Sequence, residues 1–96
     1  MITAIVLIKT AQGHTQDVAQ TLIEMPGITE AYSVAGLYDL VAMVRVQHHD
    51  ELSTLVTESV QKIQGIKETN TLIAFRAYSR HDLDAMWDIG NEEIAP

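Results

Sequence analysis

Residues 32–46 read Tyr32-Ser33-Val34-Ala35-Gly36-Leu37-Tyr38-Asp39-Leu40-Val41-Ala42-Met43-Val44-Arg45-Val46. β-branched, aromatic and small residues flank a Gly and an Asp. The pattern predicts a strand, a tight turn at Gly36–Asp39 and a second strand. Gly36 takes positive φ without steric cost, and the Asp39 carboxylate can accept bonds from turn N–H groups. The second strand decides the fold. Leu40, Ala42, Val44 and Val46 share one face, and Val41 and Met43 share the other. A strand apolar on both faces must be covered on both.

The rest of the chain falls into order around this pair. Ile2 to Lys9 is a first strand, also two-faced and therefore central. Ala11-Gln12-Gly13-His14 leads to a helix with Thr15 as its N-cap. That helix runs to about Met25, with Val18, Ala19, Leu22 and Met25 on one stripe. Pro26-Gly27 stops it, and Ile28 to Ala35 is the strand that enters the hairpin. Beyond Val46, Gln47-His48-His49 is a loop and Asp50 an N-cap. Leu52, Leu55, Val56, Ser59, Val60 and Ile63 follow at helical spacing until Gly65. Lys67 to Tyr78 is a fourth strand, apolar on both faces. Ser79-Arg80-His81-Asp82 has the form of a capping box with Asp in place of Glu. It opens a short last helix striped by Leu83, Met86 and Trp87.

The order βαββαβ contains a faint repeat, because Gly27-Ile28-Thr29-Glu30 and Gly65-Ile66-Lys67-Glu68 both place Gly-Ile-x-Glu between helix and strand. Two such halves build an α+β, ferredoxin-like sandwich: a four-stranded antiparallel sheet with two helices on one face. Two helices leave the other face bare. At about 25 cal/mol per Å², a few hundred Å² of apolar surface is worth several kcal/mol when buried. The expectation is a sheet-to-sheet dimer of the dimeric α/β-barrel type.

The 96 residues fit one domain, which at this size buries about 60–65 % of its unfolded surface and gains from association. A hydrophobic content of 47 % excludes a disordered segment. With no cysteine, neither a disulfide framework nor a thiolate zinc site can form, which agrees with a cytoplasmic location. No apolar run approaches the ~20 residues needed to span a bilayer. Met1-Ile2-Thr3-Ala4 lacks the basic start of a signal peptide. A net charge of -7 argues against direct contact with nucleic acid, which needs clustered Lys and Arg.

The residues that carry chemistry are few. His48-His49-Asp50 could suggest a metal site, but neighbours in an extended loop point apart and further ligands are not evident. His14 and His81 fall near helix starts. No Ser-His-Asp arrangement, phosphate-binding Gly loop or H-E-x-x-H occurs. No catalytic residue, metal or cofactor is expected. Arg45 shares a face with Val41 and Met43, and Arg76 with Leu72 and Ala74. Each is either a rim residue with its stem packed, or a holder of carboxylates at an interface. Asp39 is either a turn residue or the anion that takes a ligand's ammonium group.

Ala35-Gly36-Leu37-Tyr38-Asp39-Leu40-Val41, preceded by Pro26-Gly27-Ile28 and Tyr32 and followed by Gly65-Ile66 and Thr69-Asn70-Thr71-Leu72, resembles the effector-binding domain of the Lrp/AsnC family. The likeness covers Ile2 to Tyr78. It implies residues 1–78 as the ligand-binding (RAM) domain and 79–96 as a C-terminal helical extension. Family members usually carry an N-terminal helix-turn-helix domain. This chain begins at the first strand, so it resembles a stand-alone version of the effector domain. The family's dimers assemble into tetramers, octamers or larger rings, and amino acids bind between dimers. By matching positions, the resemblance implicates Tyr32, Gly36, Tyr38, Asp39, Thr69 and Thr71 in ligand binding. Control of transcription would then go through a partner, such as a full-length Lrp/AsnC regulator.

Three functions compete. The first is an oligomeric sensor of an amino acid or related small metabolite. The second is a cofactor-free enzyme on the same dimeric barrel, a small monooxygenase or isomerase. It would need an enclosed pocket between sheet and helices with a His, Asn or Trp pointing in. The third is a structural assembly module that acts by mixed oligomerisation.

Overall fold

In Ile2–Thr10 (β1), Ala4, Val6, Ile8 and Thr10 are buried, while Thr3, Ile5, Leu7 and Lys9 between them are half-covered. The computed structural model describes residues 1–80 and places β1 inside the sheet. It pairs antiparallel with Leu40–Val46 (β3) on one side and with Ile66–Ala74 (β4) on the other. Ile28–Ser33 (β2) pairs with β3, so the order is β2-β3-β1-β4. Thr15–Ile23 (α1) and a second helical segment, which opens with His49–Thr54 (α2), cover the Ala4–Val6–Ile8 face. This is the ferredoxin-like βαββαβ sandwich. His81-Asp82 of the expected capping box, and the expected helix with Leu83, Met86 and Trp87, lie outside the described residues.

One apolar cluster joins sheet and helices. Val6, Ile8, Leu40 and Val44 from the sheet meet Val18 and Leu22 from α1 and Val60 from the second helical segment, all at or near zero exposure. Ala19 and Met25 pack against it, as the stripe predicts. The helix starts differ from expectation. The N-cap of α1 is His14, and Thr15 is the first helical residue. The Thr15 hydroxyl is bonded to that of Thr10 at 2.6 Å instead of capping its own helix. In α2 the N-cap is His48 rather than Asp50, because the Glu51 carboxylate accepts the His48 N–H at 3.1 Å.

Beyond α2 the pitch changes. Leu55–Ser59 forms a π turn and Val60–Lys62 a 3-10 turn. An α pitch would aim Ser59 at the core beneath Leu55. The wider turn, with the Val60 N–H donating to the Leu55 carbonyl, buries Val60 there instead.

Two strands are shorter than their residue types suggest. β2 stops at Ser33, before Val34 and Ala35. β4 stops at Ala74, which pairs with Thr3 one residue from the start of β1, so Phe75 to Tyr78 run beyond the paired length of β1. Phe75 is fully exposed, and Arg76 does not share a strand face with Leu72 and Ala74. Both glycines of the repeat are required by conformation, and Gly65 by space as well. At φ +98, a Cβ on Gly27 would sit 3.1 Å from Val46 Cγ1; at φ +97, one on Gly65 would sit 2.7 Å from His14 Cβ.

Candidate functional site

The link between Ser33 and Leu40 is a longer loop than the tight turn expected. It closes where the Val34 N–H donates to the Asp39 carbonyl at 3.0 Å. Gly36, at φ +122, is exposed with nothing near its Cα side, and Leu37 is 83 % exposed. The next two residues turn inward. The Tyr38 hydroxyl accepts from Asn70 Nδ2 at 3.4 Å, and Lys9 Nζ lies 5.7 Å from the Tyr38 ring centroid. Asn70 pairs with Leu7, so this contact is on the face without helices.

Asp39 works on the other side. Its N–H donates to the Ile8 carbonyl at 2.9 Å. Its Oδ2 accepts the Thr10 N–H at 2.8 Å and the Thr10 hydroxyl at 3.3 Å. The carboxylate therefore receives the β1 main chain rather than the turn's own N–H groups, and it extends the β1–β3 ladder by one rung. Tyr38 and Asp39 hold the end of β1 from its two faces.

The remaining site residues lie elsewhere in the chain. Thr69 and Thr71 pair with Ile8 and Val6, so both point to the helix-covered side of the edge strand β4. Thr69 Oγ1 accepts from Gln61 Nε2 at 3.1 Å. Tyr32 pairs with Val41 on the open face of the other edge strand and donates its O–H to Glu30. That bond, and then the negative charge of Glu30, raise the Tyr32 pKa above the ordinary tyrosine value. The single chain thus places Gly36, Tyr38 and Asp39 in one loop, Thr69 and Thr71 on either side of the Asn70 that bonds Tyr38, and Tyr32 opposite Val41 on the neighbouring strand. Sequence reasoning missed Thr10, Thr15, Lys9 and Asn70. Thr10 carried a signal: it is the polar end of the buried stripe Ala4-Val6-Ile8-Thr10.

Two open clefts lie on the helix side. One, of about 690 Å³, is lined by Met25, Pro26, Glu51 and Leu55 among others; the second, of about 500 Å³, by His14, Asp17, Thr21 and Lys62 among others. None of the six residues lines either. Packed side chains fill the space between sheet and helices, where the enzyme reading needs an enclosed pocket. Among the described residues no group of three or more His, Asp or Glu is placed to hold a metal, and no helix is long and apolar enough to cross a membrane.

The chain belongs to the Lrp/AsnC ligand binding domain family, whose model matches residues 3–84. The transcriptional regulator FL11 of Pyrococcus furiosus is 34% identical over 77 residues, which are 80% of this chain and 50% of that one. LysM of Saccharolobus solfataricus is 30% identical over 78 residues, 80% of this chain and 54% of that one. The chain spans about half the length of these curated relatives, both HTH-type transcriptional regulators. TTHA0845 of Thermus thermophilus superposes with a TM-score of 0.78 at 45% identity, over 83% of this chain and 100% of its own. The Neisseria meningitidis regulator NMB0573, in complex with L-Met, shares the fold at a TM-score of 0.74 and 10% identity, over 82% of this chain and 53% of its own.

Proposed function

We propose that this chain is an oligomeric sensing module that binds an amino acid or related small metabolite where its dimers meet, and that it acts on transcription through a DNA-binding partner such as a full-length Lrp/AsnC regulator. The observation that carries the reading is the sheet face that no helix covers among the described residues. Ile5, Leu7, Val41 and Met43 form its centre, with Leu72 47% exposed and Tyr32 48% exposed at the edges. A second copy laid on this face makes the dimer, and dimers then meet at their hairpin ends. Residues 1–78 are the module and 79–96 an extension with a docking role.

A zwitterionic ligand needs donors for its carboxylate and an anion for its ammonium group. The exposed loop at Gly36 offers main-chain N–H groups at close approach. Asp39 offers the anion, with Tyr38 and Tyr32 beside the interface. Thr69 and Thr71 are supplied by a neighbouring chain. The Thr69 hydroxyl accepts from Gln61 and keeps its own proton to donate.

A thermal-shift screen of the twenty amino acids beside light scattering tests the reading. L-Met belongs early in the screen, given the NMB0573 complex. The expected result is a dimer or larger ring whose melting temperature rises with the concentration of one amino acid. A folded monomer, or an oligomer that no amino acid stabilises, overturns it, and the second outcome favours the assembly module.

A further inference from the structure

We infer that Thr10 and Thr15 are positioning residues for the Gly36–Asp39 loop, acting through the Asp39 carboxylate, and that they tie the loop to the first turn of α1. The effect on ligand affinity rests on the loop being the ligand site proposed above; the effect on the loop itself does not.

The direction of the bonds carries the argument. An ionised carboxylate only accepts, and a Thr hydroxyl has one proton. The Thr10 hydroxyl gives its proton to Asp39 Oδ2 at 3.3 Å. In the 2.6 Å contact between the two hydroxyls, Thr15 is therefore the donor. The chain runs one way, from Thr15 to Thr10 to Asp39, and crosses from α1 through β1 to the loop. A chain of this kind strengthens link by link as each hydroxyl polarises the next. Thr10 is 8 % exposed, so water is a poor substitute for the lost partner.

The same geometry divides the carboxylate. Oδ2 is engaged from within by the Thr10 N–H and hydroxyl. Oδ1 has no such bond among the described residues and is the oxygen left for a ligand's ammonium group. Asn at this position can still accept from Thr10 with its carbonyl oxygen while turning an NH₂ toward the ligand. Asp39→Asn thus removes the ligand contact and keeps the clamp, whereas Thr15→Val weakens the clamp and touches no ligand atom.

The test is amide hydrogen exchange on the full chain without ligand, followed by calorimetric titration with the amino acid found by thermal shift. In Thr15→Val the amides of Val34 and Asp39, which close the loop and join it to β1, should exchange about fivefold faster, as for the loss of one buried hydrogen bond. The Val44 amide on the central ladder should not change. Thr15→Ser should restore the original rates. Affinity should fall about fivefold in Thr15→Val and recover in Thr15→Ser. Unchanged exchange at Val34 and Asp39 overturns the inference, and so does a uniform rise that includes Val44. Faster loop exchange with unchanged affinity upholds the clamp and overturns the loop as the ligand site.

Discussion

Along β3, a step of one residue crosses between two environments. Leu40, Ala42 and Val44 have no exposure beneath the helices, while Val41 and Met43 lie half-covered on the bare side and Arg45 is in water. The same alternation holds in β1. The residue types on the two faces hardly differ, so hydrophobicity alone says only that both want covering. Topology decides which face the chain covers by itself: both crossovers, through α1 and through the second helical segment, fall on one side. Among the described residues the other face is left without a covering layer.

A carboxylate placed on each face should break this comparison most sharply. Val6 is 1% exposed under the helices, and an unpaired charge there costs several kcal/mol, about the whole stability of a small domain. Val6→Glu should give no folded protein by circular dichroism. Leu7→Glu, one residue along, should keep its secondary structure and scatter light as a monomer. Truncations should follow the same division at smaller size. Leu22→Ala should lower unfolding stability by about 2–5 kcal/mol. Leu72→Ala should instead weaken self-association, by about 1–2 kcal/mol for the apolar area lost, seen as dissociation at higher concentration on dilution.

Within the covered face, the π turn gives a finer contrast. Val60→Ala should cost about 1–3 kcal/mol in denaturant unfolding, and Ser59→Ala less than about 0.5 kcal/mol. An α-helical pitch would bring their costs together. The smallest effect belongs to the bare face. Glu30 holds the Tyr32 hydroxyl protonated beyond the ordinary tyrosine value. The contribution of that bond is complete below the unfolded value of about 10 and is lost as pH rises through the higher folded value. Ultraviolet titration should show one tyrosine ionising late, and Glu30→Gln should bring it down.

Local periodicity was enough to read the elements, their order and the two-faced strands β1 and β3. It failed wherever a distant residue decides. Phe75, Ala77 and Tyr78 continue the β4 alternation perfectly well, and only the pairing of Ala74 with Thr3 shows that their partner strand has ended. Asp50 is the better capping residue by type, yet Glu51 captures His48 and starts the helix earlier. Ser59 fits an α stripe because residue spacing carries no sign of a wider turn. At the site, Gly36, Tyr38 and Asp39 were legible as a turn, but the partners of Tyr38 and Asp39 lie on β1 and β4. That Thr69 and Thr71 share a face follows from their spacing. That it is the helix-covered face follows only from their register with Val6 and Ile8.

The central position of β1 also bears on how the chain reaches its fold. β1 precedes both of its partners, and β3 and β4 lie far down the sequence from it. Segments that distant must find each other before β1 forms a rung, which slows folding relative to a fold of local contacts. On the ribosome, Ile2 to Ile8 emerges apolar on both sides and stays unpaired until Val46 and then Ala74 have followed. The strand that joins the finished sheet is therefore the one most open to wrong partners during synthesis, and it is where a chaperone or an aggregating neighbour would first take hold.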